Sequence, residues 1–490
     1  MSLRSRLSKA FLGSYLIKAF SYILLSNIIT AATGLGIIAI YTRVLPPSEF
    51  GRITLLWLFA LIISVLIDAR LNTAFSIRFY KSSKEENTKN IYSVLIFNLV
   101  LGTIVYTFFF LSSPFRQKIL GIEVSTTELT IIFLMVLSMI FANFYTNILM
   151  ISQRNRSYFW VKVFFNAVLL ISSIACLLFF KQGYISYFNS YMVSYLITAA
   201  IGLKYLAVNY KPKIASLFSF NNLKELLKIG MPLIPNGLLL MLLTWADRYI
   251  LNLYTELVVV GIYTVGYRFS EIINNFLFGP FGQAISPVLF RKFTESLDEY
   301  KKILSNIFKY YWLATIGVSI GYFVMLKEIF ILFSGAAYLE GYNIVGITIL
   351  GIILWGLSNT LSATIIVKEK TGKMFLFTGI STFINILLNF LLIPGYGMYG
   401  AAAATLAGYF VQLAIALYYT QKLVYIDYDY NFSFKSVLFS LCFFAAVLFV
   451  SYLDINAIIA ILIKTILFLC FAFLADKWFG IVNFIKEVLY

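Results

Sequence analysis

The chain has 490 residues, 61% hydrophobic and 12% charged, with a mean hydropathy of +0.89. A water-soluble domain carries roughly 25% charged residues, so this composition excludes one and describes a polytopic membrane protein. The net charge is +17 and histidine is absent, which removes histidine-based zinc sites, Ser-His-Asp triads and histidine proton relays and argues against an enzyme.

Fourteen apolar runs follow one another: 17–41, 53–76, 91–111, 128–150, 163–180, 185–203, 232–252, 258–284, 310–326, 342–366, 375–392, 399–420, 436–452 and 457–474. About 20 apolar residues suffice for a helix to cross a bilayer. Helices satisfy their own backbone groups in hydrocarbon, and the alternation of a β-barrel strand is missing. The expectation is an all-α polytopic membrane protein with about 14 transmembrane helices. The basic start, MSLRSRLSKA, leads into the first run without a small-residue cleavage site, so it reads as a signal anchor.

With Lys18, at the very start of the first run, counted with the N-terminus, twenty-eight of the 38 Lys and Arg fall at the N-terminus, in every second break, or at the C-terminus; six fall in the remaining breaks and four deeper inside apolar runs. Basic residues near span ends stay cytoplasmic. This places both termini and the breaks 77–90, 151–162 (with Arg154, Arg156 and Lys162), 204–231, 285–309, 367–374 and 421–435 in the cytoplasm. A charge so dispersed suits topology and anionic lipid headgroups, not nucleic acid. Cys176, Cys442 and Cys470 lie in apolar runs and read as small packing residues, not disulfides or metal ligands.

The longest cytoplasmic break contains NNLKELLKIG, whose Leu223, Leu226 and Leu227 oppose Lys224, Glu225 and Lys228, the pattern of a short interfacial helix. It divides the chain into an N-terminal lobe (1–209, spans one to six), a linker (210–231), a C-terminal lobe (232–425, spans seven to twelve) and a final segment (426–490, spans thirteen and fourteen and a tail). A faint repeat at an offset of 210 sets PPSEFGRITLL over ELVVVGIYTVG, Gly51 over Gly261 and Lys81 over Arg291. Six spans separate the copies, so both have one orientation, related by an axis along the membrane normal.

Several stretches carry a resemblance: LLKIGMPLIPNGLLLMLLTWADRYILNLY, then VVGIYTVGYRFSEIINNFLFGPFGQAISPVLFRKF, YTRVLPPSEFGRITLL, DARLNTAFSIRFYK, and KEKTGKMFLFTGISTFINILLNFLLIPGYGMYGAAAATLAGYFVQ. Together they make the chain similar, over most of residues 10–425, to the polysaccharide-transporter branch of the MOP flippase superfamily, the Wzx-type O-antigen and capsule flippases. The resemblance implies two six-helix lobes in a V around a central cavity that opens to each side in turn, with two C-terminal helices beyond them. It implies a polyprenyl-diphosphate-linked oligosaccharide as cargo, moved from the cytoplasmic to the outer leaflet of a bacterial or archaeal plasma or inner membrane. Partners would be that glycan, membrane lipids and the glycan polymerase or assembly machinery, with the transporter itself a monomer. No cofactor or metal is expected; Na+ or H+ would be the coupling ion.

Ionisable residues at span depth cost about 2.5–3.5 kcal/mol on insertion scales, so each requires an explanation. Arg268 and Glu271 lie mid-way along span eight at i, i+3 spacing, on one helix face. They read either as a neutralising pair or as a cavity pair in which Arg268 meets diphosphate or acidic sugar and Glu271 takes the coupling ion. Asp247 and Arg248, toward the outer end of span seven, point about 100° apart and need not pair; Arg248 can snorkel to headgroups, while the resemblance makes the two a structural or cavity motif. Asp68 and Arg70 lie near the end of span two, as a snorkelling or a cavity pair. Lys464, in span fourteen, reads as snorkelling past Asp454 to the outer surface. Pro235 opens span seven and Pro280 interrupts span eight, where proline bends a helix in a gate.

A MATE-like multidrug or small-molecule antiporter is the alternative; it predicts an acidic cavity, whereas the span-depth charges here are balanced. A membrane glycosyltransferase would need a catalytic carboxylate in a sizeable outer loop, and the longest outer loop, 112–127, offers Glu123 alone in its interior. No GxxxxGK[ST] phosphate loop occurs, so energy would come from an ion gradient or the membrane potential.

Overall fold

Serine and proline decide where these helices begin. Ser83 and Ser125 each accept from the backbone N–H three residues on, and Glu86 and Glu128 return the bond to the serine's own N–H. These two capping boxes satisfy amides that the first helical turn leaves without partners. Ser219 and Ser296 cap by the same side-chain bond, and Pro47 occupies a first-turn position whose missing N–H costs nothing.

The computed structural model describes residues 3–112, 121–211, 217–274, 289, 292–293, 295–368, 371–451 and 457–480. Its helices are α1 (Leu3–Val44), α2 (Pro47–Asp68), α3 (Leu71–Phe79), α4 (Lys84–Leu111), α5 (Thr126–Ile151), α6 (Asn155–Ile174, continued by a π turn to Phe179), α7 (Ile185–Asn209) and α8 (Phe220–Gly230). They continue with α9 (Ile234–Tyr254), α10 (Leu257–Ile273), α11 (Leu297–Phe333), α12 (Tyr342–Val367), α13 (Thr371–Leu423), α14 (Tyr430–Ser451) and α15 (Ala457–Phe479). No strand occurs among the described residues. Nine helical segments there are long and apolar enough to cross a membrane.

One of the nine, Gly372–Leu423, has 52 residues. At 1.5 Å per residue it would be about 78 Å long, against a hydrocarbon core of about 30 Å. The segment therefore folds at Gly397, whose φ of 52° and ψ of −129° lie outside the helical region and suit a residue without Cβ. Beyond the bend the chain runs back on itself, so that a Cβ on Gly400 would touch the Leu392 carbonyl at 2.5 Å. Spans eleven and twelve of the sequence reading are the two arms.

The chain forms two compact units. One contains Ser21–Thr264 and Ile386–Ala401. Its core includes Phe75 of α3, Ile91 and Val94 of α4, Phe144 and Ile148 of α5 and Leu223 and Leu226 of α8. Helix α8 thus turns its apolar face to protein, not to lipid as an interfacial helix would. Polar contacts hold it too: the Ser219 N–H donates to Ser93 Oγ at 2.9 Å, Asn222 donates to Asn90 at 2.9 Å, and Arg78 pairs with Glu225. At the far end of α2, Arg52 pairs with Glu128 at 2.9 Å and lies 5.0 Å from the Tyr184 ring. The Tyr184 hydroxyl donates to Glu128 at 2.5 Å, and burial, with that carboxylate, pushes its pKa up to about 12.

Within this unit the faint repeat acquires a physical meaning. A Cβ on Gly51 would run into the Leu257 carbonyl, and one on Gly261 into the Pro47 carbonyl. Pro47 and Leu257, like Gly51 and Gly261, are 210 residues apart, so the contacts are reciprocal. Such reciprocity is the signature of a two-fold relation, here between the first turns of α2 and α10.

The second unit contains Met1–Phe20, Val265–Asn385 and Ala402–Tyr490. Lipid tails are as apolar as leucine, so helices in a membrane associate through close packing, not water exclusion. Gly317 and Gly321 of α11, one turn apart, leave a groove in which the rings of Phe471 and Phe468 of α15 lie. Leu313, Phe471 and Ala475 are buried there, with Phe432, Phe439 and Phe443 of α14 against them. Spans thirteen and fourteen, outside the repeat, are thus packed onto α11.

Candidate functional site

The charged residues singled out in the sequence occupy four separate settings. The most enclosed is Asp247–Arg248 on α9. Both are buried, Arg248 to 1% exposure, and they do pair: Arg248 Nη1 donates to Asp247 Oδ1 at 2.8 Å and to the Thr244 carbonyl at 2.6 Å. Rotation about the helix separates their Cβ atoms, but a long arginine folds back across that angle. Tyr263 of α10 donates to Asp247 Oδ2 at 2.5 Å, and the guanidinium lies 4.6 Å from the Trp245 ring and 5.4 Å from the Tyr263 ring. Arg248 therefore does not snorkel. Its guanidinium is enclosed by protein and presents almost no surface to a ligand in this conformation.

Asp68 and Arg70 stand at a helix end, not inside a span. Helix α2 stops at Asp68 because Ala69 and Arg70 adopt left-handed backbone angles, φ 47° and 57°, an uncommon conformation for side chains with a Cβ. The sequence reading carried the span to residue 76, since Leu71, Ala74 and Phe75 continue its apolar character. Asp68 accepts from the Asn72 N–H and so anchors the start of α3. The Arg70 guanidinium fills the space that a Cβ on Gly237 of α9 would take. Pro235 lies just before it, in the first turn of α9, where proline starts a helix without kinking it.

Arg268 and Glu271 are different. Three neighbours fasten the part of α10 from Val265 onward into the second unit: the Tyr267 and Tyr409 hydroxyls are 3.2 Å apart, the Phe269 ring is 4.4 Å from Phe330, and Ser270 meets Thr348 at 2.5 Å. Arg268 and Glu271 occupy the remaining face, 32% and 28% exposed, with Arg268 Nη1 3.4 Å from Glu271 Oε2. The contact is long for an ion pair, and about a third of each side chain is exposed. Pro280 lies outside the described residues.

Lys464 departs from expectation. It is 3% exposed, and its Nζ lies 2.8 Å from Glu328 Oε1 on α11. An ion pair enclosed by protein, not snorkelling, accounts for this lysine; Asp454 lies outside the described residues.

The sequence reading missed one cation entirely. Helix α6 begins at Asn155, not near 163, so Lys162 stands two turns inside a span and not in a loop. It lines a cavity of about 220 Å³ together with Trp57, Asn143, Asn166, Tyr191 and Tyr195. Asn166 donates to the Lys162 carbonyl at 2.7 Å and to Thr30 at 3.1 Å. Asn155 and Arg156 ahead of the apolar run hid the boundary: polar residues that begin a helix look the same in sequence as polar residues that end a loop.

The family model described as polysaccharide biosynthesis protein matches residues 16–293. The capsular polysaccharide biosynthesis protein CapF of Staphylococcus aureus is 27% identical over 428 residues, 84% of this chain and 100% of that protein. The probable low-salt glycan biosynthesis flippase Agl15 of Haloferax volcanii is 22% identical over 247 residues, 49% of this chain and 50% of its own length. Among solved structures, the lipid II flippase MurJ in an inward closed conformation is similar at a TM-score of 0.74 and 18% identity, over 94% of this chain and 99% of that one. An outward-facing multidrug resistance MATE transporter of the MOP superfamily gives 0.64 at 13% identity, over 84% and 96%. These two likenesses concern the fold. With the family model covering more than half of its length, the chain belongs to the polysaccharide biosynthesis protein family.

Proposed function

We propose that this protein is an alternating-access flippase that carries a polyprenyl-diphosphate-linked oligosaccharide, an O-antigen, capsule or related repeat unit, from the cytoplasmic to the outer leaflet. The observation that carries the reading is the family match over residues 16–293, joined by the full-length likeness to CapF. The reading includes fourteen spans, two six-helix lobes of spans one to six and seven to twelve around a central cavity, two further C-terminal helices, and both termini in the cytoplasm of a bacterial or archaeal cell. The protein works as a monomer alongside the polymerase or assembly machinery.

A diphosphate cannot cross hydrocarbon alone, because an unpaired charge at the centre of the bilayer costs several kcal/mol or more. A water-filled, cationic path replaces its hydration while the polyprenyl tail stays in lipid. In this scheme the partly exposed Arg268 binds the diphosphate, since paired N–H groups of one guanidinium match two phosphate oxygens. Glu271, when Arg268 turns to the cargo, takes Na+ or H+ as the coupling ion. The Asp247–Arg248–Tyr263 cluster holds α9 to α10, Arg70 fixes the start of α9 beside Pro235, and bending falls to Pro280. The membrane potential adds about 2.3 kcal/mol per charge per 100 mV to any step that moves net charge.

A multidrug antiporter is the second reading, favoured by the MATE fold likeness. The cavity of about 220 Å³ argues against it: Lys162 is there, and no Asp or Glu is among its described lining residues. A cationic drug would meet repulsion in that space.

Deletion of the gene followed by leaflet-resolved analysis of lipid-linked glycans tests the proposal. Full repeat units accumulating on the cytoplasmic leaflet are expected. An unchanged glycan distribution with new sensitivity to cationic drugs would replace it with the antiporter.

A further inference from the structure

Lys162 is set apart from the other cations at span depth. Arg248, Arg268 and Lys464 each have a carboxylate within 4 Å. Lys162 makes no ion pair among the described residues; its Nζ has the Tyr158 ring at 5.7 Å. It lies seven residues into α6, about 10 Å from the helix start. A charge held there without a counter-charge is costly, and a cation over a phenol ring at that distance recovers only about 0.5–1 kcal/mol. A negative group supplied from outside the chain would complete the site.

The walls of the cavity say what else that group carries. Trp57 and Tyr191 lie with ring centroids 4.8 Å apart, Tyr191 and Tyr195 6.0 Å apart, and Tyr195 and Phe165 4.8 Å apart. These rings form one connected series, and Asn143 and Asn166 are part of the same lining. Aromatic faces beside amide and hydroxyl groups complement a pyranose, whose axial C–H bonds form an apolar face and whose hydroxyls ring the edge. The volume of about 220 Å³ is below the roughly 300–1,000 Å³ of pockets for drug-sized ligands. It has room for one sugar ring, not for an oligosaccharide.

We propose that this cavity is a glycan subsite that takes one sugar ring bearing an acidic substituent, stacked on the Trp57–Tyr191 wall with its carboxylate on Lys162. The inference rests on the flippase reading and sharpens it, for it gives the cargo an acidic sugar. It also separates two recognition tasks. Arg268 reads the diphosphate that every such cargo shares, and Lys162 reads the sugar that differs among cargoes.

The test uses the purified full-length protein in detergent and saturation-transfer NMR with three probes: sodium glucuronate, glucose and inorganic phosphate. Glucuronate should receive saturation from the wild-type protein. Lys162→Gln should bind it about tenfold more weakly, the effect of one charge-assisted hydrogen bond, and Lys162→Arg should restore it. Tyr191→Leu should reduce transfer to both sugars. Phosphate, lacking a ring, should not displace glucuronate at equal concentration. If Lys162→Gln fails to fold, Lys162→Met serves in its place. Equal glucuronate affinity in wild type and Lys162→Gln, transfer to neither sugar, or displacement by equimolar phosphate would overturn the subsite. Glycan export measured in the same strains keeps the two claims apart. Export that depends on the protein, with glucuronate binding indifferent to residue 162, removes the subsite alone, whereas export independent of the protein removes the flippase reading.

Discussion

Arg248 and Arg268 stand twenty residues apart on consecutive helices, and in sequence they are equivalent: an arginine at span depth with a carboxylate nearby. The structure gives them opposite surroundings. Arg248 is enclosed by Asp247, Thr244, Trp245 and Tyr263, with 1% of its surface exposed. Arg268 makes a long contact to Glu271 and keeps about a third of its surface open. Both satisfy the rule that a membrane-embedded charge needs a partner, so the rule does not separate structure from function. What separates them is exposure: Arg248 is sealed at 1%, while Arg268 at 32% can be reached by something that is not part of the chain.

That contrast orders the expected effects. Arg248→Ala leaves Asp247 buried beside Tyr263 without its cation, and breaking a buried pair from one side costs about 3–5 kcal/mol. Thermal unfolding of the purified variant should show a large drop in melting temperature; a wild-type value would mean that Arg248 is not sealed. Lys464→Ala comes next, because Glu328 is partly exposed and recovers some hydration: a loss of about 1–3 kcal/mol is expected. Replacing both partners by Lys464→Met with Glu328→Leu should recover most of it, since apolar pairs of similar volume often match buried ion pairs. If the double variant is no better than Lys464→Ala, packing and not charge explains the site. Arg268→Ala should move stability by less than about 1 kcal/mol, the range of partly exposed pairs, while glycan export fails. Glu271→Gln should have the smallest effect on the fold, and should flatten the dependence of export on the sodium or proton gradient. An unaltered gradient response would remove Glu271 from coupling.

Much of the fold was readable in the chain because hydropathy and capping are local. The runs at 342–366, 375–392 and 399–420 emerge as α12 and the two arms of α13, and the capping boxes at Ser83 and Ser125 stand in the sequence as Ser-x-x-Glu. The repeat at offset 210 was faint because only a few residues at the crossing of α2 and α10 must be small; the rest of each copy need only be apolar. Pairing was not readable. Lys464 and Glu328 are 136 positions apart, and nothing in either neighbourhood signals the other. Arg70 ended outside its expected helix because two non-glycine residues take left-handed angles there, a choice that tertiary packing against Gly237 makes and composition does not. Lys162 was assigned to a loop because polar residues at a helix start carry the same local signal as loop residues.

The most direct test of the account is the leaflet distribution of lipid-linked glycan in cells whose sole copy carries Arg268→Ala, normalised to the amount of protein in the membrane. The account predicts full repeat units held on the cytoplasmic leaflet at wild-type protein abundance, with Arg268→Lys giving partial export because a cation remains without the bidentate geometry. A wild-type distribution between leaflets in Arg268→Ala cells would contradict it.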